Sequence, residues 1–248
     1  MEEQVKVVAL VHKTKGFVFH HVPKTGGSSI TNWLTHTFPD DLFWIGKKGV
    51  RRAYVGSKFF PGDKRMRNLF PAHIHPETIK NILRKGPRTR HLDTWHFGFM
   101  RDPYKWFESF FWYRRDRKEQ NTKRNYGEGL FQADPEAAWK RFVEITTSGK
   151  SECTQSFWLK SNQNKIVSFI GDYSNLENDF KKVMNLFDVD VNSPLPVLNT
   201  RWREKSTVEH LPVEKIWHNE KLTKKIEEFL KEDIELYETT FNKRATYE

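Results

Sequence analysis

Apolar residues along this chain fall into two kinds of run, short continuous stretches bounded by Gly or Pro and longer stretches at helical spacing. Phe17 to Val22 is a β-prone run that stops at Pro23, and the Gly-Gly-Ser-Ser that follows leads into Ile30 to Leu34, which continues as a helix. Trp95 to Met100 repeats the arrangement as a buried strand, and Asp102-Pro103 opens a helix carrying Trp106, Phe107, Phe110 and Phe111. Further helices are predicted from Pro76 to Leu83, Pro135 to Thr147 and Leu176 to Phe187, with one or two more over Leu222 to Phe241. Lys165 to Ile170 reads as another strand. Strands alternating with helices predict an α/β fold with a central, mostly parallel sheet flanked by helices. Phe38 to Pro71 mixes Gly, Pro, basic and aromatic residues without a period and predicts irregular structure.

A length of 248 residues sits near the upper end of what one core supports, so a single domain over 1–248 is expected. Aromatics at 15% exclude a disordered tail, and no repeat or low-complexity tract is visible. Forty-two Lys and Arg against 32 Asp and Glu leave a formal charge of +10, which favours an anionic partner without choosing among nucleotide, nucleic acid, sulfated glycan or membrane surface. The lone Cys153 excludes an internal disulfide and any Cys-based metal site, and suits a reducing, cytoplasmic compartment. Val5 to Val11 is too short and interrupted for a membrane span, so a soluble chain is expected; a chain trimmed of an N-terminal anchor would read the same.

Two places concentrate chemistry. Pro23-Lys24-Thr25-Gly26-Gly27-Ser28-Ser29 has the parts of an anion cradle: glycines that let backbone N–H groups converge, hydroxyls, a cation, and a helix N-terminus behind them. Lys24 precedes the glycines, which is the wrong order for the nucleotide-triphosphate loop ending in Gly-Lys-Ser/Thr. Taken alone, Gly-Gly-Ser is also ordinary turn punctuation. The second place is Phe99-Met100-Arg101-Asp102-Pro103 with Ser109 two helical turns on. Arg101 offers a planar fork for phosphate oxygens, though a solvated helix-end charge fits the same residue.

Together, these segments resemble the carbohydrate sulfotransferase family, the first matching its 5′-phosphosulfate loop and the second its 3′-phosphate motif. Many relatives carry a basic residue where this chain has Trp106. Ile170 to Phe180 resembles the stretch where a family strand ends and a helix begins with Asn-Leu-Glu; locally, Ser174 and Glu177 predict a capping box. Leu198 to Arg201 and Asp233 to Tyr237 resemble later family segments, so the likeness runs in order from about Phe17 to Tyr237.

The resemblance implies a P-loop-like three-layer fold and transfer of a sulfuryl group from 3′-phosphoadenosine-5′-phosphosulfate to a hydroxyl, with a carbohydrate as the acceptor. It implies that Lys24 contacts the bridging oxygen of the leaving phosphate, that Thr25, Gly26, Gly27, Ser28 and Ser29 hold the 5′-phosphate, and that Arg101 and Ser109 grip the 3′-phosphate. Asn199 and Arg201 are candidate nucleotide contacts, with a turn Asn and a solvated charge as the plainer readings. His73 in Ala72-His73-Ile74-His75-Pro76 stands where relatives hold a His, and is the candidate general base, with His75 as the alternative. His20, His21 and His96 read as packing residues. No metal-ligand spacing is present, and none is expected. Neither nucleic acid nor a membrane span is an expected partner. The competing readings are a nucleotide phosphotransferase, which would depend on magnesium, and a non-catalytic nucleic-acid or glycan-binding module favoured by the basic aromatic run Trp112 to Lys118.

Overall fold

The structure is a computed structural model that describes residues 9–46, 49–52, 83–84, 94–116, 134–148, 154–161, 164–165, 167–198 and 217–247. The chain divides into two compact units, one of Met1–Met100 with Phe157–Val197, the other of Arg101–Ser156 with Leu198–Glu248. His73, His75, Asn199 and Arg201 lie outside the described residues, as does the helix expected from Pro76 except at Leu83, which is helical.

The first unit is built on a six-stranded sheet of β1 (Ala9–His12), β2 (Phe17–His20), β3 (Leu42–Gly46), β4 (Gly49–Arg52), β5 (Trp95–Met100) and β8 (Phe169–Asp172), in the order β4-β3-β1-β2-β5-β8. β2 pairs with β5 and β5 with β8 in parallel; β1–β2, β1–β3 and β3–β4 are antiparallel. The sheet is therefore mixed, which corrects the expectation of a mostly parallel one. The reason is connection length. Four residues join β1 to β2 and two join β3 to β4, whereas a parallel return needs a dozen or more. β3 and β4 lie between Phe38 and Pro71 and correct the expectation of irregular structure there, the apolar run Leu42 to Ile45 being the signal for β3.

The β1–β2 hairpin closes on Gly16 at φ 71, whose N–H donates to His12 O at 3.1 Å. The His12 ring supports the turn, its Nδ1 accepting from the Lys15 N–H at 3.1 Å. Alternation along the strands sends Leu10, Phe17, Phe19, Phe97 and Phe99 to one face, where they meet Ile30, Trp33 and Leu34 of α1 (Gly27–Thr37). Phe180, Val183 and Met184 of α5 (Leu176–Asn185) join the same core, with Trp33 edge-on to Phe180 at 5.0 Å. On the other face His20 and His96 are buried and bonded to each other, Nε2 to Nδ1 at 2.7 Å. A separate two-stranded ladder pairs β6 (Lys160–Ser161) with β7 (Asn164–Lys165), so the strand expected to start at Lys165 starts instead at Phe169.

The capping box expected at Ser174 does not form. A short 3₁₀ turn, Tyr173–Asn175, intervenes, and Asp172 Oδ1 accepts from the Ser174 N–H at 2.8 Å. Glu177 is engaged instead by the Leu195 N–H at 3.2 Å, and α5 starts after Asn175 without a side-chain cap. A contact 18 residues away has displaced the local rule.

The second unit packs α2 (Pro103–Asp116), α3 (Pro135–Thr147) and α6 (Glu220–Phe241) around an aromatic core. Phe107 and Phe111 of α2 meet Trp139 and Phe142 of α3 with ring centroids 5.0–5.6 Å apart. Trp217, ahead of α6, lies edge-on to Trp139 at 5.6 Å. The helix starts follow their sequence signals, since Asp134 accepts from the Glu136 and Ala137 N–H groups with Pro135 in the first turn, and Asn219 accepts from the Leu222 N–H. The short helix α4 (Gln155–Leu159) runs from this unit into the first. Among the described residues no helix is long and apolar enough to cross a membrane.

Candidate functional site

The chain leaves β2 at His20 and turns through Pro23–Gly26 before α1 begins at Gly27. Two residues of that turn lie in the left-handed region, Lys24 at φ 66 and Gly26 at φ 79. For glycine this costs little, but for lysine it costs about 1–2 kcal/mol, so the fold holds Lys24 where its own backbone does not prefer to be. Left-handed residues on both sides of Thr25 are the backbone feature from which anion-binding nests are built. The helix behind has no side-chain cap and no acidic residue in its first turn, so its positive end faces the turn uncompensated by side-chain charge.

Within the loop the candidates divide by role. Thr25 is buried, and its hydroxyl donates to Val22 O at 3.0 Å, so what it offers an anion is its backbone N–H. Ser29 is buried at the first turn of α1, while Ser28 and Lys24 are partly exposed. Gly26 fits because a Cβ there would lie 2.6 Å from Leu176 Cδ2 and 3.3 Å from the Tyr173 ring. Gly27 fits for a different reason, one the sequence does not announce: a Cβ on it would sit within 2.8 Å of three ring atoms of His21. That ring stacks on Phe19 at 6.1 Å, and its Nδ1 is sealed from solvent with no hydrogen-bond partner among the described residues. Burial lowers the His21 pKa to about 4, so the imidazole beside the loop is neutral at physiological pH.

The second candidate segment belongs to the other unit. Arg101 is partly exposed, and its backbone is held at both polar groups by Gln155: the Arg101 N–H donates to Oε1 and the Arg101 carbonyl accepts from Nε2, both at 2.9 Å. Asp102 starts α2, its Oδ1 accepting from the Tyr104 N–H at 3.0 Å and the Lys105 N–H at 3.2 Å, while Oδ2 accepts from the Thr246 N–H at 3.0 Å. Ser109 is partly exposed on α2. Trp106, the departure from the family pattern, is buried and stacked on Phe110 at 5.3 Å, so it faces the core. Lys105 is exposed four residues before Ser109 and shares its face of the helix, so a cation stands there after all. The i, i+4 spacing from Lys105 to Ser109 is the signal that could have found it.

Among the described residues no three His, Cys, Asp or Glu side chains gather as a metal site would. A family model described as sulfotransferase family matches residues 8–241. No curated protein and no solved structure matches.

Proposed function

Because this chain belongs to the sulfotransferase family, we propose that it transfers a sulfuryl group from 3′-phosphoadenosine-5′-phosphosulfate to a hydroxyl of a carbohydrate acceptor. The observation that carries the reading is the turn after β2, in which a left-handed lysine and a left-handed glycine precede an uncapped helix N-terminus. In this reading the N–H groups from Thr25 to Ser28 and the Ser28 and Ser29 hydroxyls take the 5′-phosphate, the Ser29 N–H being held by Gly26 O at 3.0 Å. Lys24 places its ammonium against the bridging oxygen. Arg101 and Ser109 take the 3′-phosphate, and Asn199 and Arg201 border the nucleotide. We read the whole as one P-loop-like, three-layer domain; the family match, which runs through both compact units, supports that.

The donor supplies the activated sulfuryl group. Its sulfur–oxygen bond to phosphate breaks as a new one forms to the acceptor oxygen, and the acceptor proton passes to His73, with His75 as the alternative base. Negative charge then gathers on the departing phosphate, where Lys24 and the fixed N–H dipoles stabilise it without reorganising.

Calorimetric titration with 3′-phosphoadenosine 5′-phosphate and with adenosine 5′-phosphate, in the absence of magnesium, tests the reading. The bisphosphate is expected to bind more tightly. Lys24→Ala and Arg101→Ala should each weaken it by about tenfold or more, since a hydrogen bond to a charged group contributes about 1.5–3 kcal/mol. His73→Ala should spare nucleotide binding and reduce turnover with a glycan acceptor. No affinity for either would remove the nucleotide site and with it this function, and equal affinity for the two would remove the 3′-phosphate contacts given to Arg101 and Ser109.

A further inference from the structure

Arg101 follows the last residue of β5, so its N–H and C=O belong to neither the strand ladder nor the helix that starts at Pro103. Such groups are costly to leave unpaired in a protein interior. Gln155 takes both of them, Oε1 accepting and Nε2 donating at 2.9 Å each. The pairing fixes which way the amide points, because an N–H can only donate and a carbonyl only accept. Among neutral side chains only Gln and Asn carry a donor and an acceptor in this planar arrangement, and Asn is shorter by one methylene.

Gln155 is itself held. It is fully buried at the start of α4, where its own N–H and that of Ser156 donate to Asp233 Oδ2 and Oδ1 at 2.8 and 2.7 Å. Asp233 is fully buried on α6, and the burial raises its pKa while the donors from Ser156 and Gln155 pull it back down. Enclosing a carboxylate costs several kcal/mol before its hydrogen bonds are counted. All four residues belong to the same unit, so α6, the α4 start and the Arg101 peptide form one connected frame.

We propose that Gln155, anchored by Asp233, is a positioning residue that fixes the backbone from which the Arg101 guanidinium reaches the nucleotide's 3′-phosphate. The inference rests on Arg101 being that anchor, as in the proposed function. A binding group must be held within about 0.5 Å and 10–20° to keep its contacts, and the most direct way to hold a long side chain is to lock its root. Two hydrogen bonds, one to each peptide group flanking the Arg101 α-carbon, restrain the backbone torsions there, and neither uses the guanidinium.

The test compares 3′-phosphoadenosine 5′-phosphate with adenosine 5′-phosphate by calorimetry on the full chain, unsubstituted and as Arg101→Ala, Gln155→Leu and Gln155→Glu. Gln155→Leu should lower the preference for the bisphosphate by about tenfold, with the Kd for adenosine 5′-phosphate within about twofold of its original value. A purely structural role would lower the melting temperature and leave that ratio alone. If Gln155→Leu does not fold, Gln155→Glu is read in the same way: it keeps the length and one acceptor but sets an oxygen against the Arg101 carbonyl. An unchanged ratio in a folded Gln155 variant, while Arg101→Ala abolishes the preference, overturns the positioning role and leaves the nucleotide site standing. No preference in the unsubstituted protein, or one that Arg101→Ala leaves intact, overturns the Arg101 reading and this inference with it.

Discussion

Replacing Gly27 with alanine separates two reasons for a glycine at the head of α1. The backbone itself tolerates the change, since Gly16 and Gly26 are the described glycines at positive φ and Gly27 is not among them. Helix propensity alone would favour alanine by up to about 1 kcal/mol. The obstacle is His21: the new methyl would lie 2.5 Å from Nε2 and 2.8 Å from Cγ, closer than van der Waals contact allows. Phe19, stacked behind that ring and buried in the core, leaves little room for it to retreat. Overpacking of this kind costs about 1–3 kcal/mol, so the net expected loss is about 1–2 kcal/mol. Urea unfolding, followed by the fluorescence of the nine tryptophans, measures it. The decisive comparison is a double-mutant cycle. In a His21→Ala background the methyl meets no ring, so Gly27→Ala should be neutral or slightly stabilising, giving a coupling of about 1–3 kcal/mol. The same loss in both backgrounds would show that Gly27 is required for a reason other than His21, and the packing argument would fail.

Two further predictions concern stability. Asp102→Ala should cost about 1–2 kcal/mol in urea unfolding, because it removes the α2 cap at Tyr104 and Lys105 together with the tie to Thr246, while Asp102→Asn should keep most of that stability; equal losses in both would contradict capping as the cause. The fold should also lose stability as pH falls from about 6.5 towards 4. His12 and His21 both have pKa values lowered to about 4, His12 chiefly by burial, with Asp41 opposing and Lys15 and Lys13 adding. The folded state thus binds fewer protons than the unfolded one in that window, and each histidine contributes a slope of up to about 1.4 kcal/mol per pH unit. Urea midpoints that stay flat between pH 6.5 and 4.5 would contradict this.

Where a structural signal was local, the sequence carried it. The bounds of β5 and α3 coincide with a largely apolar, aromatic-rich run and with a Pro that starts a helix, and neither depends on distant residues. Strand direction was not local. β1, β3 and β4 owe their antiparallel pairing to short connections and to partners found only in three dimensions, as with Leu10 opposite Trp44. The candidate loop was legible as a motif, but the division of labour within it was not: nothing in Thr-Gly-Gly says that the threonine hydroxyl closes on Val22 or that the second glycine makes way for a histidine. Gln155 had no signal at all, because a buried glutamine matters only through the peptide it meets 54 residues away.

The segment Ile170 to Phe180 shows how a distant stretch comes to belong to the loop. β8 lies beside β5 in parallel, and β5 beside β2, so His20, Met100 and Asp172 end their strands along one edge of the sheet. That edge is where open α/β sheets bind ligands. The chain leaving β8 then makes a 3₁₀ turn and starts α5, which sets Tyr173 and Leu176 behind Gly26. A capping box would have required Ser174 to head α5 and Glu177 to fold back on it; instead Asp172 takes the Ser174 N–H, Glu177 reaches Leu195, and the helix start is free to place Leu176. A φ of 79 is what calls for glycine at residue 26, and the Leu176 side chain fills the space where a Cβ would stand. Asn-Leu-Glu therefore meets the candidate turn through its leucine, which packs beside Gly26.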